Sequence, residues 1–191
     1  MARDSARTKR LLLEAAHAEF AEYGVAGARV DRIAANAGCN KERIYGHFGN
    51  KEALFDAVLT DAITQLANAV QPASGSIADY VGRVFDYHHS DPSLLRLLMF
   101  EALHHRDGLV DSNPERRDWY VGVRKTFAEQ AGMTEKDAGR TLLTLIGIGA
   151  WSTAMPQLTR LFLGDDAGSE NEVAELRDFL TSFAERAVES R

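Results

Sequence analysis

The 191 residues leave room for one large or two small domains, and a hydrophobic fraction of 45% excludes a disordered chain. A single cysteine, Cys39, excludes an internal disulfide and any multi-cysteine zinc or iron–sulfur site, and it suits a reducing cytosol. Net charge is −6 but unevenly spread: residues 1–51 hold nine Lys/Arg against six Asp/Glu, so an acidic body carries a basic N-terminal third suited to a polyanion.

The leading residues are charged first and the apolar run breaks at Glu14, which is not the pattern of a signal peptide. The longest apolar run, Leu142 to Trp151, is about half of a membrane span. Ala, Leu, Glu and Arg dominate and alternating β-branched segments are missing, so an all-α fold of nine helices is expected. Helix 1 is expected over Ser5 to Tyr23, with Leu12, Ala16 and Phe20 on one face and Gly24 at its end. A short helix 2 buries Val30, Ile33, Ala34 and Ala37, and Gly38 breaks it. Asn40 is a good N-cap for helix 3, Lys41 to His47, whose apolar side is Ile44 and Phe48.

Helix 4 is expected over Lys51 to Val70, striped by Leu54/Phe55, Val58/Leu59 and Ala62/Leu66. Gln71 to Ser76 reads as a linker. Ser76 with Asp79 forms a capping box for helix 5, Ile77 to His89. Asp91-Pro92 and Asn113-Pro114 start helices 6 and 7, the latter running to Ala131. Thr134 with Asp137 caps helix 8, which Pro156 ends, and Ser169 with Glu172 caps helix 9, to Glu189. The domains expected are a three-helix N-terminal domain over 1–50, a connecting helix over 51–70, and a larger helical domain over 71–191.

Three short helices with a tight turn between the second and third make a helix-turn-helix, whose last helix lies in the DNA major groove. Lys41, Glu42 and Arg43 occupy its first turn, where base edges are read, and Tyr45, His47 and Lys51 are placed to meet the backbone. Tyr45 has a second reading, packing beneath helix 4. Glu42 either accepts from cytosine N4 or favours the positive end of the helix dipole. Cys39 reads as a small buried turn residue, the alternative being a redox sensor. Arg3, Arg7, Lys9 and Arg10 form either a frayed tail or a basic arm that reaches phosphate or minor groove.

These residues also resemble a family. "LLEAAHAEFAEYGV" (Leu12 to Val25) is similar to the opening helix of TetR-family regulators, and "VDRIAANAGCNKERIYGHFGNKEALFDAV" (Val30 to Val58) to the rest of their DNA-binding domain. The resemblance implies a cytoplasmic, nucleoid-associated bacterial regulator without cofactor or enzymatic activity. It implies a homodimeric repressor, released from a palindromic operator in double-stranded DNA by a largely apolar small-molecule effector. Residue by residue, Tyr45, His47 and Lys51 match phosphate-contacting positions, and Lys41, Glu42, Arg43 and Gly46 match positions facing the bases. Two departures stand out. Ala28-Arg29 replaces the usual Thr or Ser before helix 2, so Arg29 is expected to restore the phosphate contact by charge. Gly46 stands where a second aromatic is common.

In the remaining chain, Phe85, His88, Met99, Phe100, Leu103, Trp119, Tyr120, Phe127 and Trp151 are the candidate effector pocket, aromatic and largely apolar. Val173, Leu176, Leu180, Phe183 and Ala187 recur at 3-4 spacing, the seam of a helix pair. With the small Gly147, Gly149 and Ala150 they form a candidate dimer interface, the alternative being an intramolecular seam. The competing class is an all-helical metal-binding protein or di-iron enzyme built on the Glu-x-x-His pairs Glu14-His17 and Glu101-His104. His88, His89, His104 and His105, with Glu101 and Asp107, are either transition-metal ligands or solvated helix ends.

Overall fold

The computed structural model describes residues 2–71, 75–104 and 114–189. Among these residues there are ten helices and no strand: α1 (Ala2–Gly27), α2 (Val30–Asn36), α3 (Lys41–Phe48), α4 (Lys51–Val70), α5 (Ile77–Ser90), α6 (Ser93–His104), α7 (Pro114–Ala131), α8 (Glu135–Ala154), α9 (Pro156–Leu163) and α10 (Glu170–Glu189). Four of the expected caps form. Asn40 accepts the Arg43 N–H, Ser76 and Asp79 exchange both bonds of a capping box, Thr134 accepts from Asp137 N–H and Ser169 from Glu172 N–H. Asn113, the expected cap of α7, lies outside the described residues.

Three elements depart from expectation. α1 is helical from Ala2, not from Ser5. Pro156 does not only end α8; it also opens α9, an eight-residue helix not expected from the sequence. Proline fits the first turn of a helix because the N–H it lacks would be unsatisfied there anyway. α6 begins at Ser93, one residue beyond the expected proline.

The chain divides into two compact units that do not follow sequence order. The first is Met1–Gln65 with Ser93–Leu109; the second is Leu66–Pro92 with Val110–Arg191. The first core stacks Leu12, Phe20, Ile33, Ile44, Leu54 and Phe55, all fully buried. Phe20 meets Phe55 edge to face, with centroids 5.2 Å apart. Val30 and Ala37, expected in this core, are only half-buried. α6 joins through Leu94 and Leu97 and through polar contacts with α1: His17 Nε2 with Ser93 Oγ at 2.6 Å, and Arg96 with Glu22 at 3.3 Å. The Phe100 ring presses on Gly24, where the backbone leaves helical geometry at φ 65°; a Cβ there would lie 2.8 Å from the ring.

In the second unit α5 packs against α8 and α10. Val81, Val84 and Phe85 are buried, as are Leu142, Leu145 and Ala150. A Cβ on Gly149 would meet the Val81 carbonyl at 3.1 Å and Val84 Cγ1 at 2.9 Å, so α5 and α8 approach closely only because this residue is glycine. Arg177 of α10 clamps Asp86 of α5 with two bonds of 2.7 and 2.8 Å.

Candidate nucleic-acid interface and sensing core

α3 is held by little. Ile44 is its one buried side chain, and an eight-residue helix would not persist alone. The Asn40 cap and the half-buried Phe48 complete its attachment. Most of the rest faces outward: Lys41, Glu42, Arg43 and Gly46 are exposed, and Tyr45 is 49% exposed. Open space surrounds Gly46, so a partner can come close to the backbone there. Tyr45 is thus not buried beneath α4. Lys41 lies 3.6 Å from Asp31 of α2 in an exposed pair that water and salt screen.

The flanking cations are part of the same surface. Lys51 opens α4 and reaches the Ala28 carbonyl at 3.4 Å, which places its ammonium beside the start of α2. Arg29 is exposed at the α2 N-cap and forms no side-chain cap bond. His47 is half-buried next to Phe48. Lys9 of α1 lies 5.9 Å above the Phe48 ring, which brings a cation of the N-terminal segment to α3. Thus Arg29, Lys41, Glu42, Arg43, Tyr45, Gly46, His47 and Lys51 all fall in the first unit, anchored from below by apolar residues and polar above.

Residues that the sequence pattern does not single out sit directly behind this surface. Glu19 of α1 is 4% exposed and accepts the Arg29 backbone N–H at 2.7 Å. It also accepts from Arg32 Nε at 2.9 and 3.0 Å and from Arg32 Nη2 at 2.5 Å. Burial would raise the Glu19 carboxyl pKa, but the bond from Arg32, the Arg29 N–H and the two guanidinium charges outweigh it and hold the pKa below its ordinary value. No residue-type signal marks Glu19; it is one glutamate on an amphipathic helix.

The candidate effector residues are not one cluster. Met99, Phe100 and Leu103 are on α6 in the first unit, where Phe100 fills the Gly24 notch and Leu103 is 72% exposed. Phe85, His88 and Phe127 are buried in the second unit, Trp119 stacks edge to face on the partly exposed Tyr120 at 4.7 Å, and Trp151 is 56% exposed. Tyr80, which is not among the residues expected from sequence, is buried there too, and burial beside Tyr120 raises its pKa to about 12. His88 is 2% exposed, and its Nδ1 has no hydrogen-bond partner among the described residues. Burial lowers its pKa to about 4 against a weak opposing pull from Asp91, so the ring is neutral.

The Glu-x-x-His pairs do not converge. Glu14 is exposed and pairs with Arg10, His17 is bound to Ser93, Glu101 is buried and His104 is exposed. His89 stacks on Phe85. His105 and Asp107 lie outside the described residues. Among the described residues no group of three or more His, Cys, Asp or Glu side chains is arranged to hold a metal ion.

The candidate dimer residues divide as well. Ala150 and Gly149 are buried inside the second unit, and Val173, Leu176 and Leu180 are half-buried. Gly147 faces open space and Phe183 is 47% exposed. Much larger apolar exposure lies alongside in sequence: Leu143 at 74%, Leu161 at 80%, Phe162 at 84% and Phe179 at 61%. No helix among the described residues is long and apolar enough to cross a membrane.

Comparison with known proteins matches two successive stretches of the sequence, the second of which spans parts of both units. The family model for bacterial regulatory proteins of the tetR family matches residues 12–58, and the one for the tetracyclin repressor-like C-terminal domain matches residues 76–186. The chain is 37% identical over 193 residues to the HTH-type transcriptional repressor SCO4008 of Streptomyces coelicolor, covering 98% of each chain. It is 31% identical over 110 residues to the HTH-type transcriptional repressor NicS of Pseudomonas putida, covering 54% of this chain and 52% of that one. A crystal structure of the Streptomyces coelicolor transcriptional regulator SCO4942 superposes with a TM-score of 0.73 at 29% identity, covering 94% of this chain and 97% of that one.

Proposed function

The chain belongs to the TetR family of bacterial regulatory proteins, a DNA-binding transcriptional regulator by descent, and from that premise we propose that it is a repressor whose α3 enters the major groove of a palindromic operator. The observation that carries this reading is the pairing on α3 of one buried anchor, Ile44, with the exposed Lys41, Glu42, Arg43, Tyr45 and Gly46 on either side of it in sequence. Arg43, exposed in the first turn, reads a base edge. Tyr45, His47, Lys51 and Arg29 hold the phosphates on either side. Selection of sequences from a random duplex pool by the purified protein tests this: an enriched palindrome is expected. Arg43→Ala is expected to cost about 1–3 kcal/mol on that site and relax preference at one position. Equal loss on selected and random DNA removes the base-reading role.

A palindrome needs two copies, with recognition helices roughly 34–36 Å apart. The exposed apolar side chains of α8, α9 and α10 support a homodimer covered at that surface, with Phe179 and Phe183 on α10 and Leu161 and Phe162 on α9. The effector site is assigned to the second unit, among Phe85, His88, Tyr120 and Phe127, with the His88 Nδ1 as its polar anchor. α6 gives the route to DNA. It belongs to the first unit and grips α1 at His17, Glu22 and Gly24, so a shift of α6 is felt by the recognition domain directly. A coupling of about 1–3 kcal/mol lowers operator affinity roughly 5- to 150-fold, and operator lowers effector affinity by the same factor. A thermal-shift screen of apolar compounds, followed by operator titration with each hit, tests this. Stabilising ligands that leave operator affinity unchanged, and whose binding survives His88→Leu, remove the site and the switch.

A further inference from the structure

The start of α2 lacks the device that normally holds a helix N-terminus. A capping box needs Ser, Thr, Asp or Asn at the N-cap and Glu or Gln three residues on. Here the N-cap is Arg29 and the third helical residue is Arg32, two cations where two acceptors are usual. The acceptor comes from another helix. Glu19 of α1 takes the Arg29 backbone N–H at 2.7 Å, the bond the third residue of a capping box would accept. Its oxygens are gripped in turn by Arg32 Nε and Nη2. Arg32 is further fixed by the Tyr23 ring, 4.3 Å from its guanidinium carbon, and by the Gly27 carbonyl at 3.4 Å. The box is thus split across α1 and α2 and closed by a buried carboxylate.

We infer that Glu19 is a positioning residue that sets DNA discrimination. It fixes α2, and through the turn α3, against α1, and it ties up Arg32 so that this cation does not add to phosphate binding. α2 is the helix that crosses the DNA backbone in a helix-turn-helix. The Arg32 side chain is 38% exposed, whereas that of Glu19 is 3% exposed, so a released guanidinium has access to solvent and to phosphate. A cation freed there strengthens binding to every sequence alike, whereas a loosened α2 displaces the base-reading α3 and lowers affinity for the selected sequence alone, so discrimination falls through positioning. Pairing a basic residue on the DNA side with an acid on the core side keeps the net field while limiting indiscriminate contact. This goes beyond the roles assigned to α3, and it rests on the DNA-binding reading.

The test uses the full-length protein, its selected site and a random duplex, titrated across salt concentration. Glu19→Gln is expected to bind random DNA roughly five- to tenfold more tightly near 0.1 M salt, with a log–log salt slope steeper by about 0.9. Discrimination between the selected and random duplexes is expected to fall roughly tenfold, because the Gln amide cannot hold both Arg29 N–H and the guanidinium as a carboxylate does. In the double variant Glu19→Gln/Arg32→Gln the slope returns to the wild-type value while discrimination stays low. Glu19→Asp keeps the charge but withdraws it from Arg29, so it is expected to keep the wild-type slope with reduced discrimination, and it serves if Glu19→Gln does not fold. Wild-type discrimination in a folded Glu19→Asp protein overturns the inference. So does parallel loss on both duplexes in Glu19→Gln at an unchanged slope, the pattern of simple destabilisation. A wild-type protein that enriches no sequence removes the DNA-binding reading itself, and this inference with it.

Discussion

α3 and α9 are both eight residues long, and both turn most of their side chains to solvent. They do so with opposite chemistry. α3 buries Ile44 and presents Lys41, Glu42, Arg43 and Tyr45, whereas α9 buries nothing and presents Leu161 at 80% and Phe162 at 84% exposure. α3 is capped by Asn40, and α9 is held by Pro156 at its start and by Thr159 Oγ1, which donates to the Ser152 carbonyl at 2.9 Å. A lone chain gains nothing from either surface. Charged and hydroxyl groups over a buried anchor suit a hydrated polyanion, whose contacts are polar and wet. Leu and Phe left in water suit a surface that will be dry once covered. The two exposed surfaces call for different partners, and the chemistry of each says which.

The largest effect expected is on the apolar side. Phe162→Asp combined with Phe183→Asp places two carboxylates where a dry contact is proposed, at about 3–5 kcal/mol each. Light scattering is expected to show a folded monomer that no longer holds the selected palindrome. A dimer of unchanged mass would place the interface away from Phe162 and Phe183.

Next comes the anchor of α3. Ile44→Ala removes a fully buried side chain and is expected to cost about 2–5 kcal/mol in urea denaturation. Tyr45→Ala, beside it and 49% exposed, is expected to stay within roughly 0.5 kcal/mol while weakening DNA binding. Equal costs would mean that Tyr45 is structural and that the division of α3 into anchor and reading face is wrong.

A pH titration sharpens the second unit. His88 is neutral when folded, with a pKa lowered to about 4 from the ordinary 6.5, so the unfolded chain binds the extra proton between these values. Its contribution is fully present above pH 6.5 and is lost as pH falls from 6.5 towards 4, up to roughly 3 kcal/mol. His88→Leu is expected to flatten the stability profile over that window. A profile unchanged by the substitution would place the acid sensitivity elsewhere.

The smallest effect belongs to Lys51. Lys51→Ala is expected to weaken selected and random duplexes alike and to make the salt slope shallower by about 0.9. Any loss confined to the selected site would show that its bond to the Ala28 carbonyl, not its charge, is what DNA binding uses.

Much of this molecule is legible in local sequence. Asn40, Ser76, Thr134 and Ser169 mark helix starts because a cap is a bond between residues three apart. The apolar stripes of α1 and α4 mark the first core, since Leu12, Phe20, Leu54 and Phe55 recur at the helical period. The exposed basic row of α3 follows once Ile44 is placed inward. Pro156 shows the limit of local reading, because the same residue can end one helix and begin the next, and only the path of the chain beyond it decides. Three things required the tertiary structure: the membership of α6 in the first unit through Phe100 on Gly24, the burial of the His88 ring, and the Glu19 clamp on Arg29 and Arg32. The bonds that tie α1 to α2 and to α6 join groups 10 to 76 residues apart, beyond the reach of any local pattern. Helical period and capping chemistry fix which face of a segment is buried, but not which segment buries it, and that choice sets the charge, the bonds and the pKa of every group beneath the surface.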